Sequence, residues 1–354
     1  MQTDSVELSF LSIFAFITFF IFLITSKYSY KLNKGILLDE DFLKPQAFHN
    51  EAISRSGGIA SVISLFVFFG IYYLLFSNIL YEYIFLCTSL FLVGYLDDIK
   101  MKVSPNIRLI LMILFLIIFI IFLPIEIKYI DLIFLNSWLD NKIFSTIFIL
   151  LCFLFIVNGA NLIDGFNGLL TINLIIINSV LLFINLNNNQ FEFSFFLTAQ
   201  IIILISFLLF NFPKAKIFLG DSGSYFLGCF VAISTIKTSI ANPEISPFYF
   251  CILLFYLFFE VFFSFFRKLV IEKTPPIHPD KKHLHMLLYK VLLKKGINKA
   301  KSNYGVSIII NLFYLVLIIP PIFMMNNGIF CKYYSILFFV LYIFCYRITY
   351  DKAK

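Results

Sequence analysis

GYLDDIKMKVSPNIRLILMILFLIIFIIFLP, residues 94–124, holds two patterns in one stretch. From Leu109 to its end it runs sixteen residues without a charge, and just ahead of that run stand Asp97, Asp98, Lys100, Lys102, Ser104 and Arg108. A helix needs about 20 predominantly apolar residues to cross the hydrocarbon layer of a bilayer. The run and its flanks therefore predict a spanning helix over 107–124, with the acidic pair and its basic neighbours at one mouth of the span. The rest of the chain repeats the pattern. Of 354 residues, 61% are hydrophobic, 19% aromatic and 13% charged, whereas soluble chains carry about 25% charged residues. A water-facing surface cannot be covered from that composition. It excludes a soluble domain, a disordered chain and a disulfide scaffold.

Apolar runs bounded by charged or Gly/Pro/Asn-rich stretches predict eleven spanning helices, over 8–26, 58–76, 79–96, 107–124, 143–157, 169–186, 195–212, 223–240, 247–271, 306–325 and 333–349. The fold class is all-α polytopic membrane protein, with residues 1–354 forming one integral membrane domain. An odd number of spans puts the termini on opposite sides, so each connection belongs to one of two faces. One face collects 23 of the 27 Lys and Arg, leaving Lys128, Lys142, Lys237 and Lys332 on the other. Positive charge accumulates on the cytoplasmic side, so the N-terminus is expected outside, the C-terminus in the cytoplasm. Orientation and attraction to anionic membrane lipids account for the net charge of +7, and no nucleic-acid partner is implied. Asp4 and Glu7 precede the first apolar run without a basic segment, so that helix is expected to stay rather than be cleaved. The six cysteines form no CxxC pair. In the longest outside connection, 124–142, the partial alternation of IEIKYIDLIF predicts a small surface hairpin. No internal repeat is visible, which counts against a secondary transporter.

Four polar constellations interrupt the apolar sequence, and all fall on the cytoplasmic face of a topology drawn without them. The first is the Asp97–Asp98 pair: adjacent carboxylates repel, which raises one pKa or recruits a divalent cation. The second is NGANLIDGFNGLL, residues 158–170, where Asn158, Asn161, Asp164 and Asn167 recur at threes, near one helical face, between glycines that permit close backbone approach to a ligand. The third is FNFPKAKIFLGDSGSYFLG, residues 210–228, with Asn211, Lys214, Lys216 and Asp221 at a helix start. Free N–H groups there favour anions, and an Asp there is able to hold a metal that bridges them. The fourth is PPIHPDKKHLHMLLYK, residues 275–290, with His278, Asp280, Lys281, Lys282, His283 and His285. Zinc is a rival reading of the histidines, but the loop has no Cys and its lysines repel a cation. A basic His/Lys cluster suits a sugar-nucleotide phosphate better. The set points to transfer of a phosphorylated group to or from a lipid.

The order GYLDDIK, NLIDGFNGL, FNFPKAKIFLGDSGS and then the His loop, with Arg55-Ser56-Gly57-Gly58 opening the second helix, resembles the polyprenyl-phosphate N-acetylhexosamine-1-phosphate transferases, the WecA and MraY group of glycosyltransferase family 4. The resemblance covers essentially the whole chain. It implies transfer of a sugar 1-phosphate from a UDP-N-acetylhexosamine to polyprenyl (undecaprenyl) phosphate at the cytoplasmic face of a bacterial inner membrane, releasing UMP. It further implies Mg²⁺ or Mn²⁺, with Asp97 orienting or deprotonating the acceptor phosphate, Asp98 supporting it and the metal, and Asp221 coordinating the metal. Asn161, Asp164 and Asn167 would hold the nucleotide side, Phe218 would stack on uracil with Asn211 nearby, and Lys281, Lys282, His283 and His285 would contact the donor diphosphate or sugar. Replacing one phosphoanhydride by another implies a freely reversible reaction.

Two departures bear on the donor. Asn167 stands where bacterial members usually show Asp, and Met286 follows His285 where the family often has a further His. The HPDKKHLH form resembles the WecA-like branch, implying a GlcNAc-type donor and a lipid-linked envelope glycan such as O-antigen. The alternative within the family is the phospho-N-acetylmuramoyl-pentapeptide transferase of peptidoglycan synthesis. The alternative outside it is a polytopic transporter or flippase, which predicts polar residues spread through the bilayer depth. Oligomeric state stays open, a homodimer being one arrangement.

Overall fold

A computed structural model describes residues 2–29, 37–39, 52–101, 103–123, 125–127, 129–275 and 280–354. Lys31, Lys34, Lys44, Lys102 and Lys128, used above to orient the chain, and His278 of the His loop lie outside the described residues. Described helices are α1 Gln2–Tyr28, α2 Gly57–Phe76, α3 Tyr81–Asp98, α4 Pro105–Phe122, α5 Ile133–Leu139, α6 Lys142–Ile163, α7 Leu169–Asn187, α8 Phe191–Asn211, α9 Gly220–Ala241, α10 Pro247–Leu253, α11 Phe255–Phe266, α12 Leu284–Lys294, α13 Lys299–Ile322 and α14 Gly328–Ala353. A two-residue antiparallel ribbon, β1 Leu38–Asp39 with β2 Ile53–Ser54, is the one sheet among them.

Several helix starts are written in the sequence as caps. Ser104 accepts the Ile107 N–H at 3.3 Å with Pro105 in the first turn, Asn141 accepts Ile143 N–H at 2.9 Å, Asn298 accepts Lys301 N–H at 2.8 Å and Asn327 accepts Phe330 N–H at 3.0 Å. Each satisfies a donor that the helix itself leaves free.

The centre of the bundle is α9, with 72% of its spanning window buried. It packs on α2, α3, α6 and α7. α4 and α14 sit at the periphery with 22% of theirs buried, presenting apolar side chains outward as helices do in lipid. α3 approaches α9 closely. A Cβ on Gly94 would lie 2.5 Å from the Asp221 carbonyl and the Ser222 nitrogen, so no larger residue fits that crossing.

Nine described helices are long and apolar enough to cross a membrane; α10 with α11 and the π-helical turn after it, bent by 79° at Leu254, makes a tenth if the pair is one broken span. The continuous helix expected over 247–271 is thus two. The expected span over 79–96 is present as α3, but with Glu82, Asp97 and Asp98 it is too charged for that class. The hairpin expected in 124–142 is corrected: among the described residues there the chain forms no strand, and Ile133–Leu139 is a short helix. The alternation has no partner strand to pair with, and the Ile130 N–H is taken instead by the Asn136 side chain at 2.8 Å. The amphipathic α12 went unread because it is too short and too charged to register as an apolar run.

A helix crossing this close has a direct test. Gly94→Ala is expected to lower the melting temperature of the purified protein clearly, since overpacking costs about 1–3 kcal/mol. Gly70→Ala, on an open part of α2 with nothing within 4 Å, is expected to leave it unchanged or raise it slightly. Equal melting of both variants would refute the reading of the crossing.

Candidate active site

Five helix ends meet at one end of α9. The C-terminus of α3 brings Asp97 and Asp98; the N-terminus of α9 brings Asp221; α6 ends at Asn161 and Asp164; α4 begins near Arg108; and Arg55 precedes α2. Asp98 is the joint. Its side chain has no exposed surface, and its two oxygens accept the Asp221 N–H at 3.0 Å, the Ser222 N–H at 2.9 Å and the Ser222 hydroxyl at 2.6 Å. A carboxylate at this position satisfies the free donors of α9 and complements its dipole. Gly220 makes room: its φ is +78°, and a Cβ there would meet the Asp98 carboxylate at 2.5 Å. Both oxygens of Asp98 accept N–H and O–H donors, and the first N–H groups of α9, expected to attract anions, hold this carboxylate.

Asp97 and Asp221 face the open side, with side chains about a quarter exposed. Arg108, noted in the sequence but given no role there, sits between them: its Nη1 lies 3.1 Å from Asp97 Oδ2 and 2.5 Å from Asp221 Oδ2. Two carboxylates from different helices thus converge on one positive charge. Asn161 donates to the other Asp221 oxygen at 3.1 Å and to Ser224 at 2.9 Å, fixing its rotamer. Asp164 is half-buried; burial, then Asp221 and Asp98, push its carboxyl well above the usual range. Among the described residues no group of three or more His, Cys, Asp or Glu side chains forms a closed metal cage. A magnesium-type site uses one or two carboxylates and completes its shell with water and substrate phosphate. Asp97 and Asp221, which converge on the Arg108 charge, are a carboxylate pair that fits such a cation.

Arg55, which the sequence singled out only as part of a motif, reaches the same cluster from β2. It pairs with Asp39 at 2.8 Å and Asp98 at 3.4 Å. Burial alone would lower its pKa, but Asp39 and then Asp98 hold it above the ordinary value. The α8–α9 connection runs alongside β2: the Phe218 N–H donates to Ser54, and the Phe218 and Leu219 carbonyls take the first N–H groups of α2, from Gly57 and Gly58. Phe218 is half-buried there. Asn211 is a bracket, its side chain accepting the Gly168 N–H at 2.8 Å and donating to the Ile217 carbonyl at 3.1 Å. Asn167 donates from its side chain to the Pro213 carbonyl at 2.9 Å, and its N–H goes to Asn303. These residues hold the α6–α7 and α8–α9 loops together.

The His loop packs on the α6–α7 loop through Phe166, whose ring lies 5.6 Å from that of His285. Lys281 is exposed, while Lys282 pairs with Glu272 at 2.8 Å. Asp280 is held by Arg267 at 2.8 Å and Lys268 at 3.2 Å. Burial alone would raise its pKa, but the Lys282 N–H, His283 and Arg267 hold it at about 2. His283 is buried against Glu260, and His285, stacked behind it, has no exposed surface. His285 thus lies behind His283, with no surface of its own to offer a ligand. Glu260 was missed because it lies in an otherwise largely apolar helix, and Arg267 because, beside Lys268, it reads as one more basic residue at a helix end. Outside this cluster, the cavity of about 860 Å³ lined by Asp131, Glu244 and Lys332 lies at the opposite end of α9, away from the carboxylates.

Burial pushes the pKa of His285 down to about 4, and His283 adds to the effect. The folded state keeps this ring neutral while an unfolded chain protonates it near pH 6.5. Stability then falls as pH drops from about 6.5 toward 4, by on the order of 2 kcal/mol. His285→Gln is expected to flatten the melting temperature between pH 7 and pH 5 relative to the unmodified protein; an unchanged slope would contradict it.

Known proteins match this chain along most of its length. The model of the glycosyl transferase family 4 matches residues 80–239, which hold α3 through α9. An undecaprenyl-phosphate alpha-N-acetylglucosaminyl 1-phosphate transferase of Thermotoga maritima is 29% identical over 264 residues, 75% of this chain and 77% of that protein. A phospho-N-acetylmuramoyl-pentapeptide-transferase of Dictyoglomus thermophilum is 29% identical over 282 residues, 74% of this chain and 86% of that protein. One of the same name from Leuconostoc mesenteroides subsp. mesenteroides is 45% identical over 83 residues, 23% of this chain and 26% of that protein. With its apolar helices and its acidic helix ends in the matched segment, the chain is a multi-pass membrane protein similar to the polyprenyl-phosphate N-acetylhexosamine-1-phosphate transferases of glycosyl transferase family 4, the WecA and MraY group.

Proposed function

We propose that this protein transfers N-acetylhexosamine 1-phosphate, GlcNAc 1-phosphate or a related sugar phosphate, from a UDP-sugar to undecaprenyl phosphate, starting a lipid-linked envelope glycan such as O-antigen. The observation that carries the reading is the convergence of Asp97 and Asp221 on a single cation position. An oxygen of the acceptor phosphate forms a bond to the β-phosphorus of the donor. The bond from that phosphorus to the bridging oxygen breaks, and UMP leaves with the oxygen. Asp97 orients the acceptor phosphate or takes its proton. Asp221, with Asp97 beside it, holds Mg²⁺ or Mn²⁺, and Asp98 supports both by fixing the start of α9. When bound, the cation offsets charge on the pyrophosphate. Arg108, from its place between the carboxylates, and Arg55 would pair with phosphate oxygens. Asn161, Asp164 and Asn167 line the nucleotide side with Phe218 and Asn211, and Lys281, Lys282 and His283, with His285 behind, meet the donor diphosphate or sugar.

The chain works as one domain of eleven spans, counting α3 and the bent α10–α11 pair, with its N-terminus outside a bacterial inner membrane and the site in the cytoplasm. The 23 of 27 basic residues on one face support that orientation. Transfer of phospho-N-acetylmuramoyl-pentapeptide is a second reading, favoured by the 45% identity over 83 residues to the Leuconostoc protein; the HPDKKHLH loop favours the first.

Membranes containing the protein, incubated with Mg²⁺, undecaprenyl phosphate and a panel of UDP-sugars, are expected to release UMP from a UDP-N-acetylhexosamine only when the lipid is present. Asp221→Asn is expected to lower this by at least about 100-fold, as loss of an electrostatic catalytic group does. No UMP from any donor in folded protein would overturn the reading. Arg108→Gln tests the shared cation position separately. It is expected to lower kcat while reducing the Mg²⁺ concentration needed for half-maximal activity, because the competing guanidinium is gone. An unchanged Mg²⁺ requirement would argue against that competition.

A further inference from the structure

We propose that Glu260, deep in α11, is a positioning residue that sets the orientation of His283 and the start of α12, and through them the way the His/Lys loop meets the donor phosphates. The proposal rests on the donor reading above and names a part of the machinery that this reading leaves out.

Glu260 is 1% exposed in a helix whose sequence, FYLFFEVFFSFF, is otherwise apolar but for Ser264 and the hydroxyl of Tyr256. A buried carboxylate is costly unless hydrogen bonds occupy its oxygens. Here both are occupied. Oε1 accepts the Leu284 N–H at 3.2 Å, and Oε2 lies 3.2 Å from His283 Nδ1. His283 is the residue before the first turn of α12 and supplies no side-chain cap of its own, so the cap comes across from α11. One carboxylate therefore ties down both the helix start and the ring attached to it.

The far side of the ring shows what the tie accomplishes. With Nδ1 turned to Glu260, Nε2 points to Asp280 Oδ1 at 3.7 Å. Asp280 is in turn gripped by Arg267 and Lys268. The imidazole is thus presented, edge on, to a group of cations that now hold a carboxylate and are suited to hold a phosphate. His285 backs the arrangement. Its ring stacks on that of His283 at 5.5 Å and 3°, and its Nδ1 lies 3.2 Å from the Tyr256 hydroxyl on the same helix as Glu260. Packing alone would be served as well by Leu or Met at position 260. A carboxylate adds direction, which apolar contact does not.

The test uses Glu260→Gln, Glu260→Asp, His283→Asn and the double variant Glu260→Gln with His283→Asn, each as the full-length purified protein. Three quantities are read: affinity for the UDP-sugar by calorimetry with Mg²⁺, donor KM and kcat, and acceptor-lipid KM. Glu260→Gln is expected to weaken donor affinity and kcat/KM for the donor about tenfold to a hundredfold, the range for groups that orient a ligand-binding side chain, with the acceptor KM unchanged. Glu260→Asp is expected to recover part of the loss, and the double variant to be no weaker than His283→Asn alone. Wild-type donor affinity in Glu260→Gln, or losses that multiply in the double variant, would overturn the proposal. Should Glu260→Gln fail to fold, the same comparison is made with Glu260→Asp alone and combined with His283→Asn. If His283→Asn leaves donor affinity intact, the assignment of His283 to the donor fails first, and the positioning proposal with it; if His283→Asn weakens binding and Glu260→Gln does not, only the positioning proposal fails.

Discussion

The carboxylate of Asp98 against the first turn of α9 is the constraint on which the rest of the structure hangs. It joins the end of one helix to the beginning of another with three hydrogen bonds, its side chain without exposed surface and Arg55 close to one oxygen. Because α9 is the most buried helix of the bundle, fixing its start fixes the frame for α2, α3 and α6 around it. Gly94 lets the two backbones touch and Gly220 lets the carboxylate in. Loss of either glycine would push on the same joint, so packing and electrostatics are coupled at one point rather than spread along the crossing.

Charge balance follows from that joint. Four carboxylates gather near the start of α9, and the two arginines, from β2 and α4, are the cations that the described structure sets directly against them. In an interior of low dielectric like charges at this distance cannot all be ionised without compensation. Asp98 is compensated by backbone dipoles and Arg55. Asp97 and Asp221 share Arg108, and Asp164, with no such partner, has its carboxyl pushed upward by burial and by its neighbours. The asymmetry separates two kinds of acid: one that builds the fold and others that remain available to a ligand.

Much of this was legible beforehand, and the limits are physical. Apolar length marks a spanning helix regardless of what it packs on, so each expected span coincides with helix, and the polar interruptions marked the cluster near Asp97, Asp164 and Asp221. What escaped depended on partners. Adjacent aspartates read alike in sequence, and only the arrival of α9 makes Asp98 a cap while Asp97 stays open. Arg108 looked like one more positive charge at a membrane face until two carboxylates closed on it. Glu260 had no polar neighbours in sequence, because its partners come from a loop more than twenty residues on. The break at Leu254 leaves no composition signal, and the alternating segment near Tyr129 lacked the second strand that would have made its pattern a sheet.

The position of Arg108 has one more consequence. Aspartate hangs its charge on a short stem, and both Asp97 and Asp221 stand on helices locked at a close crossing, whereas arginine carries its charge at the tip of a long, many-jointed arm. An arrangement of this kind keeps its anions in fixed seats and lets its cations exchange. The centre holds a counter-ion of its own, tethered to the chain; under the proposed function, a divalent ion taking that seat would free a guanidinium for the phosphate that arrives with it.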